Sequence, residues 1–137
     1  MTQSKRSAYH HGDLRRALLD AALARLSDGE TGQLRLRALA GDAGVSPTAV
    51  YRHFADKEAL LAVIATEGFE GLRRETLAGG EGARDPLARL HGIGCGYVRF
   101  AREHPAHYRL MFGPRMLDRQ RHPELEHAAG ASYAVLE

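Results

Sequence analysis

The sequence has few of the features that indicate a secreted or membrane-spanning protein. It contains one cysteine, Cys95, so no disulfide can form within the chain and a reducing compartment fits. The longest apolar run, residues 59–65, is far shorter than the ~18 residues that a membrane span requires. The polar N-terminus lacks the apolar core of a signal peptide. We therefore expect a soluble, cytoplasmic protein.

A large net charge is also lacking, and +2 over 137 residues does not by itself indicate a nucleic-acid partner. The placement of the charge is more informative. Residues 61–137 hold ten arginines and ten acidic residues, so the positive surplus lies in residues 1–60. Residues 1–12, with Lys5 and Arg6, are predicted to form a flexible basic arm. Such an arm can enter a minor groove, or it can simply be a solvated, disordered terminus.

Apolar residues recur at helical spacing along the chain, which predicts an all-α fold. In the first half, Asp13 caps a helix, Leu34–Ala43 forms a second that Gly44 ends, and a short third helix follows. A fourth helix starts at Asp56 and runs to about Leu77. Residues 13–60 are predicted to form one domain and residues 61–137 another.

The second half also contains residues that start and break helices. Asp85-Pro86 opens a helix that His104-Pro105 breaks, and Pro123 opens the last one. Three glycines within residues 78–84 make that stretch the best candidate for a linker. The apolar stripes expected to face the core are Leu87, Leu90, Tyr97 and Phe100 in the first of these helices and Leu125, Ala129, Tyr133 and Leu136 in the last.

Residues 44–60 are the most informative stretch of the chain. Gly44 permits a sharp turn between helices, Ser46 is placed to cap the next helix, and Pro47 suits its first position. Val50 and Phe54 are four residues apart and share one face, so the other side chains of this short helix must point elsewhere. A helix, a glycine turn and a short second helix are typical of a helix-turn-helix, whose second helix enters the DNA major groove.

Residues 37–61, RALAGDAGVSPTAVYRHFADKEALL, closely resemble the DNA-binding signature of TetR-family transcriptional regulators. Residues 9–15, YHHGDLR, also look like the opening of one branch of that family. The resemblance covers roughly residues 9–75 without gaps. It implies an N-terminal three-helix DNA-binding domain, joined by a fourth helix to a helical ligand-binding and dimerisation domain.

The resemblance also implies a role for individual side chains. Those matching Tyr51, His53 and Lys57 usually contact phosphate, and those matching Pro47, Thr48, Ala49 and Arg52 face the groove. Tyr51 has a core position as its alternative. The full set of predicted DNA-binding residues is Arg35, Arg37, Ser46, Pro47, Thr48, Ala49, Tyr51, Arg52, His53 and Lys57.

Arg35 departs from the family pattern, which commonly has Ser or Thr at that position. The hydroxyl there normally caps the second helix and touches phosphate. The cap is therefore in question here, and Arg35 either reaches the phosphate directly or lies in solvent.

Regulators of this family usually bind a small effector within the second domain, and residues 97–112 resemble that domain in one branch of the family. The predicted ligand-binding residues are Tyr97, Phe100, Tyr108 and Met111, although an aromatic stripe at helical spacing is more often core. Family members generally have about nine helices and dimerise through the last two. This chain supplies about seven, so we expect either a fragment or a truncated product.

No enzyme or metal site is predicted. The eight histidines have no third ligand at a defined spacing, and Cys95 has no identified partner and is expected to be a small core residue. No cofactor is implied. The sequence therefore predicts a ligand-released repressor that binds a palindromic operator as a homodimer. The alternative is a helical ligand-binding or protein-interaction module whose DNA-binding half is not functional.

Overall fold

The computed structural model describes residues 2–29, 34–113 and 117–137, with side chains from residue 13 onward. Over these ranges the protein consists of seven α-helices and one short 3-10 helix, with no strand. The helices are α1 (Thr2–Ser27), α2 (Leu36–Ala43), α3 (Pro47–His53), α4 (Lys57–Gly80), α5 (Pro86–Glu103), α6 (Pro105–Phe112), the 3-10 helix (Arg119–Arg121) and α7 (Pro123–Ala134). The predicted all-α fold is confirmed.

Two compact units divide the chain, Met1–Leu60 and Leu61–Glu137. The assignment of DNA binding to the first and of ligand binding and dimerisation to the second stays a prediction. No described helix combines the length and the apolar character needed to cross a membrane.

Helix α1 begins earlier than the sequence predicted. Asp13 was expected to cap the helix, whereas the helix starts at Thr2 and is interrupted by non-helical backbone at Asp13 (φ −127°, ψ 24°). Beyond that break, Leu18, Ala22 and Leu26 are buried, as their spacing indicated. The flexibility of residues 1–12 stays a prediction, and the side chains of its cations lie outside the described part of the chain.

The core of the first unit comes from one apolar face on each of its helices. Leu36, Leu39 and Ala40 are buried on α2, and Val50 is buried on α3. Phe54, at the end of α3, retains only 2% of its surface. Burying a side chain of this size contributes about 2 kcal/mol, so these contacts hold two short helices that would not be stable alone.

An ion pair also joins α1 to α2. The Nε of Arg25 donates to one carboxylate oxygen of Asp42 at 2.6 Å, and one of its terminal nitrogens donates to the other oxygen at 3.0 Å. This hydrogen-bonded pairing lowers the pKa of Asp42 below its ordinary value of 3.8, against a smaller opposing effect of burial. The two residues are 17 positions apart, so no local pattern in the sequence indicated the pair.

We expect the Arg25–Asp42 pair to make the stability of the first unit sensitive to acid. Because the folded pKa of Asp42 lies below its unfolded value, the pair stabilises the fold at neutral pH. That contribution is lost as the pH falls below the ordinary value of 3.8 and through the lower folded pKa. For a partly exposed pair it amounts to about 1 kcal/mol. Urea unfolding of Asp42→Asn should show a smaller loss of stability over this range than the native chain.

Arg25→Gln and the double variant serve as controls for that experiment. If the pair acts as a unit, the free energy of unfolding of the double variant should be at most about 0.5 kcal/mol lower than that of either single variant. Equal acid sensitivity in the native chain and in Asp42→Asn would contradict the role given to this pair.

The second unit has helix starts that the sequence predicted correctly, and the start of α5 carries a side-chain cap. The Asp85 carboxylate accepts from the backbone N–H of Ala88 at 2.8 Å, and Pro86 is the first residue of α5. The break at residues 104–105 separates α5 from α6, also as predicted. Pro123 opens α7, whose buried residues are Leu125, Ala128 and Ala129.

The predicted core face of α5 is wrong for Leu87 and Leu90, which are 77% and 57% exposed. The prediction is confirmed for Phe100, which is buried together with Ile93 and Gly96, and Tyr97 is half-buried. Gly96 allows the backbone of α5 to approach α4 closely, which a face carrying leucines would not allow. The prediction that Cys95 is a core residue is also wrong, because this cysteine is exposed.

The predicted core stripe of α7 is wrong at its C-terminal end. Tyr133 and Leu136 are exposed, whereas Val135 is buried. The helix ends at Ala134, so helical spacing no longer describes Leu136, whereas Tyr133 is still part of α7 and its exposure is not explained by the helix end. The prediction held for Leu125 and Ala129, which lie well inside the helix.

Candidate nucleic-acid interface

A left-handed glycine makes the turn between α2 and α3. Gly44 has φ 71° and ψ 32°, and its backbone N–H donates to the carbonyl of Gly41 at 3.2 Å. The next N–H, from Val45, donates to the carbonyl of Ala40 at 3.0 Å. These bonds satisfy carbonyls at the end of α2 and redirect the chain within two residues. The turn therefore fixes the angle at which α3 leaves α2.

Side-chain and backbone caps define both ends of α3. The Ser46 hydroxyl accepts from the N–H of Ala49 at 3.3 Å, and Pro47 occupies the first helical position. At the other end, the N–H of Phe54 donates to the carbonyl of Val50 at 3.0 Å. Ser46 and Pro47 therefore start α3 as the sequence predicted.

The next helix is capped in the same way. The Asp56 carboxylate accepts from the N–H of Ala59 at 2.8 Å, at the N-terminus of α4. Lys57 is the first residue of α4 and is half-buried. The amides of this first turn form a positive helix end that suits an anionic oxygen.

The outer face of α3 carries polar and cationic side chains. Tyr51 keeps 53% of its surface exposed, so the alternative that it belongs to the core is wrong. Arg52 and His53 follow it and are exposed as well. Val50 and Phe54 point inward on the other side of the helix. The division of α3 into an anchored face and an open face therefore agrees with the sequence prediction.

All ten predicted DNA-binding residues lie in three short segments of the first unit. Arg35 and Arg37 are at the start of α2, and Lys57 begins α4. The other seven are the cap of α3 and residues of α3 itself, namely Ser46, Pro47, Thr48, Ala49, Tyr51, Arg52 and His53. Ala49 and Lys57 are half-buried. The exposed members are Arg35, Arg37, Ser46, Pro47, Thr48, Tyr51, Arg52 and His53.

Arg35 occupies the cap position of α2 without acting as a side-chain cap. Its backbone is extended (φ −128°, ψ 137°), and its side chain makes no capping hydrogen bond. Its carbonyl still accepts from the N–H groups of Ala38 and Leu39 at 3.1 and 3.3 Å. The helix therefore starts through backbone bonds alone, and the guanidinium is exposed.

Arg15 is a supporting residue that sequence reasoning missed. Its guanidinium carbon lies 4.9 Å from the centre of the Phe54 ring, at the end of α3. A cation over an aromatic face is attracted by the ring quadrupole and contributes about 0.5–1 kcal/mol at an exposed site. The two residues are distant in sequence, so helical periodicity gave no indication of the contact.

The second unit contains a cavity of about 630 Å³ lined by parts of α4, α5, α6, the 3-10 helix and α7, and by the residues that follow α7. Of the predicted ligand-binding residues, Tyr97 lines it, and the Tyr108 hydroxyl lies 3.0 Å from the Tyr97 hydroxyl. Phe100 and Met111 are each 3% exposed and are not among the lining residues. Within the described ranges, no cluster of three or more His, Cys, Asp or Glu side chains is placed to hold a metal.

A helix, a left-handed glycine turn and a capped second helix with an open polar face define a helix-turn-helix module of the DNA-binding class. Comparison with protein families agrees. The model for bacterial regulatory proteins of the tetR family matches residues 18–64. A second model, the tetracyclin repressor-like C-terminal domain, matches residues 90–137. The chain belongs to the TetR family, whose members are transcription regulators rather than enzymes.

Two individual relatives resemble this chain in sequence or in structure. An uncharacterised HTH-type transcriptional regulator from Haemophilus influenzae is 49% identical over 47 residues, which are 34% of this chain and 23% of that protein. A protein of unknown function from Rhodococcus sp. RHA1 has a similar structure, with a TM-score of 0.74 and 36% identity. That similarity covers 93% of this chain and 66% of the Rhodococcus chain.

A third comparison concerns the fold alone. A TetR family transcription regulator from Marinobacter aquaeolei VT8 superimposes with a TM-score of 0.67 at 21% identity. The superposition covers 99% of this chain and 70% of that one. The chain thus spans about two thirds of the length of these solved structures.

Proposed function

We propose that this protein regulates transcription by binding a specific operator sequence through α3. The observation that carries the proposal is the open face of α3. It presents Thr48, Tyr51 and Arg52 to solvent, while Val50 and Phe54 anchor the opposite face. A helix held in this way can enter a major groove without disturbing its own packing.

Each of the predicted contact groups has a chemical match on DNA. The Tyr51 phenol, the His53 imidazole and the Lys57 ammonium suit phosphate oxygens, which position a protein without reading its sequence. Pro47, Thr48 and Ala49 lie at the front of α3 and border the bases. Arg52 carries a planar guanidinium that can donate two bonds to the O6 and N7 of guanine. Arg35 and Arg37 add positive charge beside these contacts.

The proposal extends to the oligomeric state of the protein and to its regulation by a ligand. We expect a homodimer that binds a palindromic operator as a repressor, acts in the cytoplasm at the nucleoid, and is released by a small effector. Family members typically dimerise and bind effectors, which supports this expectation. Two tethered binding domains would gain affinity through their effective concentration, because the second contact becomes intramolecular.

We expect Lys57→Gln to weaken DNA binding by a similar factor for every duplex sequence, because a phosphate contact carries no base information. In a plot of log affinity against log salt concentration, the magnitude of the slope should fall by about 1 for each binding domain. Fluorescence anisotropy titrations of labelled duplexes across a range of salt concentrations measure both quantities.

Arg84→Gln is the matched control, since it removes one exposed positive charge from the second unit. It should leave the slope unchanged. A slope that changed equally in both variants would show that net charge, rather than contact at Lys57, governs binding. A native chain without salt-sensitive DNA binding would instead favour a module with a non-functional DNA-binding half.

A further inference from the structure

The cavity in the second unit has a wall of aromatic rings. The rings of Phe69 and Phe112 meet edge to face, with centroids 5.4 Å apart, and the Tyr97 ring lies 6.4 Å from that of Phe112. All three residues line the cavity, together with the buried aliphatic side chains of Leu72 and Ile93. Aromatic rings in this arrangement favour a planar aromatic guest, which can add to the edge and face contacts.

Most hydroxyl donors on the cavity are already bonded. The Thr76 hydroxyl donates to the carbonyl of Leu72 at 2.9 Å, and that of Ser132 donates to the carbonyl of Ala129 at 2.8 Å. The charged residues Arg119, Glu126 and Glu137 also line the cavity, and the Arg119 guanidinium carbon lies 5.1 Å from the centre of the Phe69 ring. Arg119 is half-buried and the two glutamates are exposed, so solvent can reach all three. The lining therefore does not require a charged guest.

The Tyr97 hydroxyl differs because it shares its bonding with a second hydroxyl. Its oxygen lies 3.0 Å from that of Tyr108, and the two rings meet edge to face. Burial is the largest cause that raises the pKa of Tyr97 to about 12, so the group stays protonated at neutral pH. The Tyr97 and Tyr108 hydroxyls carry one proton each, and the hydrogen bond between them engages only one of these two protons. When Tyr108 donates to Tyr97, the Tyr97 proton is available to the cavity, and the chain of bonds strengthens it as a donor.

We propose that the cavity binds an uncharged aromatic small molecule carrying one hydrogen-bond acceptor, and that the Tyr97 hydroxyl donates to that acceptor. The aromatic rings would contact the apolar part of the small molecule, and the Tyr97 hydroxyl would fix the position of the acceptor atom of that molecule. The inference rests on the proposed function in one respect, since this molecule would be the effector of the regulator. A cavity of about 630 Å³ lies within the range of small-molecule sites.

Two probes of nearly equal shape test the proposal. 9-Fluorenone and fluorene share a planar three-ring skeleton and differ in a carbonyl against a methylene group. Equilibrium dialysis with the full chain should show roughly five- to tenfold tighter binding of 9-fluorenone, the usual contribution of one hydrogen bond. Tyr97→Phe should bind both probes equally, with its fluorene affinity unchanged as the control for folding. Tyr108→Phe should retain a preference for 9-fluorenone, because the Tyr97 donor remains.

Several outcomes would overturn the proposal. They are equal binding of the two probes by the native chain, binding of neither probe, or an undiminished preference in Tyr97→Phe. The infrared carbonyl stretch of bound 9-fluorenone gives a readout that needs no variant. It should move to lower frequency than in an apolar solvent, and an unshifted band would also overturn the proposal.

The result can be separated from that of the DNA experiments, because dialysis requires no operator. Discrimination between the probes in a chain that selects no DNA would contradict the proposed function alone. Operator binding without discrimination would contradict the ligand inference alone.

Discussion

Gly92→Ala should lower the free energy of unfolding, although alanine is the better helix former. A Cβ at residue 92 would collide with the carbonyl oxygen of Gly79, and one at residue 79 would collide with that of Gly92. Both obstacles are backbone atoms, so the clash is relieved only by separating α4 from α5. Overpacking of this kind costs roughly 3 kcal/mol, against a gain of about 1 kcal/mol in helix propensity. We expect a net loss of about 2 kcal/mol.

Gly94→Ala is the matched control on the same helix. A Cβ at residue 94 meets no atom within 4 Å, so only the propensity gain applies. The two variants should therefore shift the urea midpoint in opposite directions, followed by circular dichroism. A Gly92→Ala chain as stable as Gly94→Ala would show that the close approach of α4 and α5 does not limit packing in this unit.

Arg52→Lys should reduce the preference for the native operator while largely preserving affinity for unrelated DNA. Lysine keeps the charge but loses the planar fork that donates two bonds to one guanine. Loss of such a contact costs about 1–3 kcal/mol in discrimination at one base position of each half-site. Competition between the selected duplex and single-base variants, measured by anisotropy, gives the discrimination directly.

The informative comparison is between Arg52→Lys and Lys57→Gln. The first should relax one base position with little change in salt dependence, and the second should lower all affinities together. If Arg52→Lys left every base preference intact, Arg52 would not be a base-contacting residue. If it instead weakened all duplexes equally, its role would be that of a phosphate contact.

The first unit could be predicted closely because its constraints are local. Gly44, Ser46, Pro47 and Asp56 each act within a few residues, so the sequence showed where the turn and the helix starts would fall. Val50 and Phe54 face inward for the same reason, since their spacing of four residues is a property of one helix. The exposure of Tyr51 follows from those two anchors.

The features that the sequence did not reveal depend on contacts between distant residues. Arg25 and Asp42, and Arg15 and Phe54, meet only because of how their helices pack. The hydrogen bond between Tyr97 and Tyr108 likewise joins two helices across a break in the chain.

Glycine was the most misleading residue in the second unit. The glycines of residues 78–84 predicted a boundary, and residues 81–85 do separate α4 from α5. However, α4 continues to Gly80, and Gly79 lies against Gly92 of α5. A residue without a side chain serves a flexible joint and a close helix crossing equally well, and composition does not separate the two. The same crossing explains why Leu87 and Leu90 are exposed although their spacing predicted burial.

The central claim is that α3 reads a DNA sequence. Selection from a randomised duplex pool tests it most directly, with the retained duplexes sequenced after washing at increasing salt. We expect the native chain to enrich an inverted repeat, and we expect the half-sites of that repeat to change when Arg52 or Thr48 is substituted. A folded chain that enriched no half-site over the starting pool would contradict the claim.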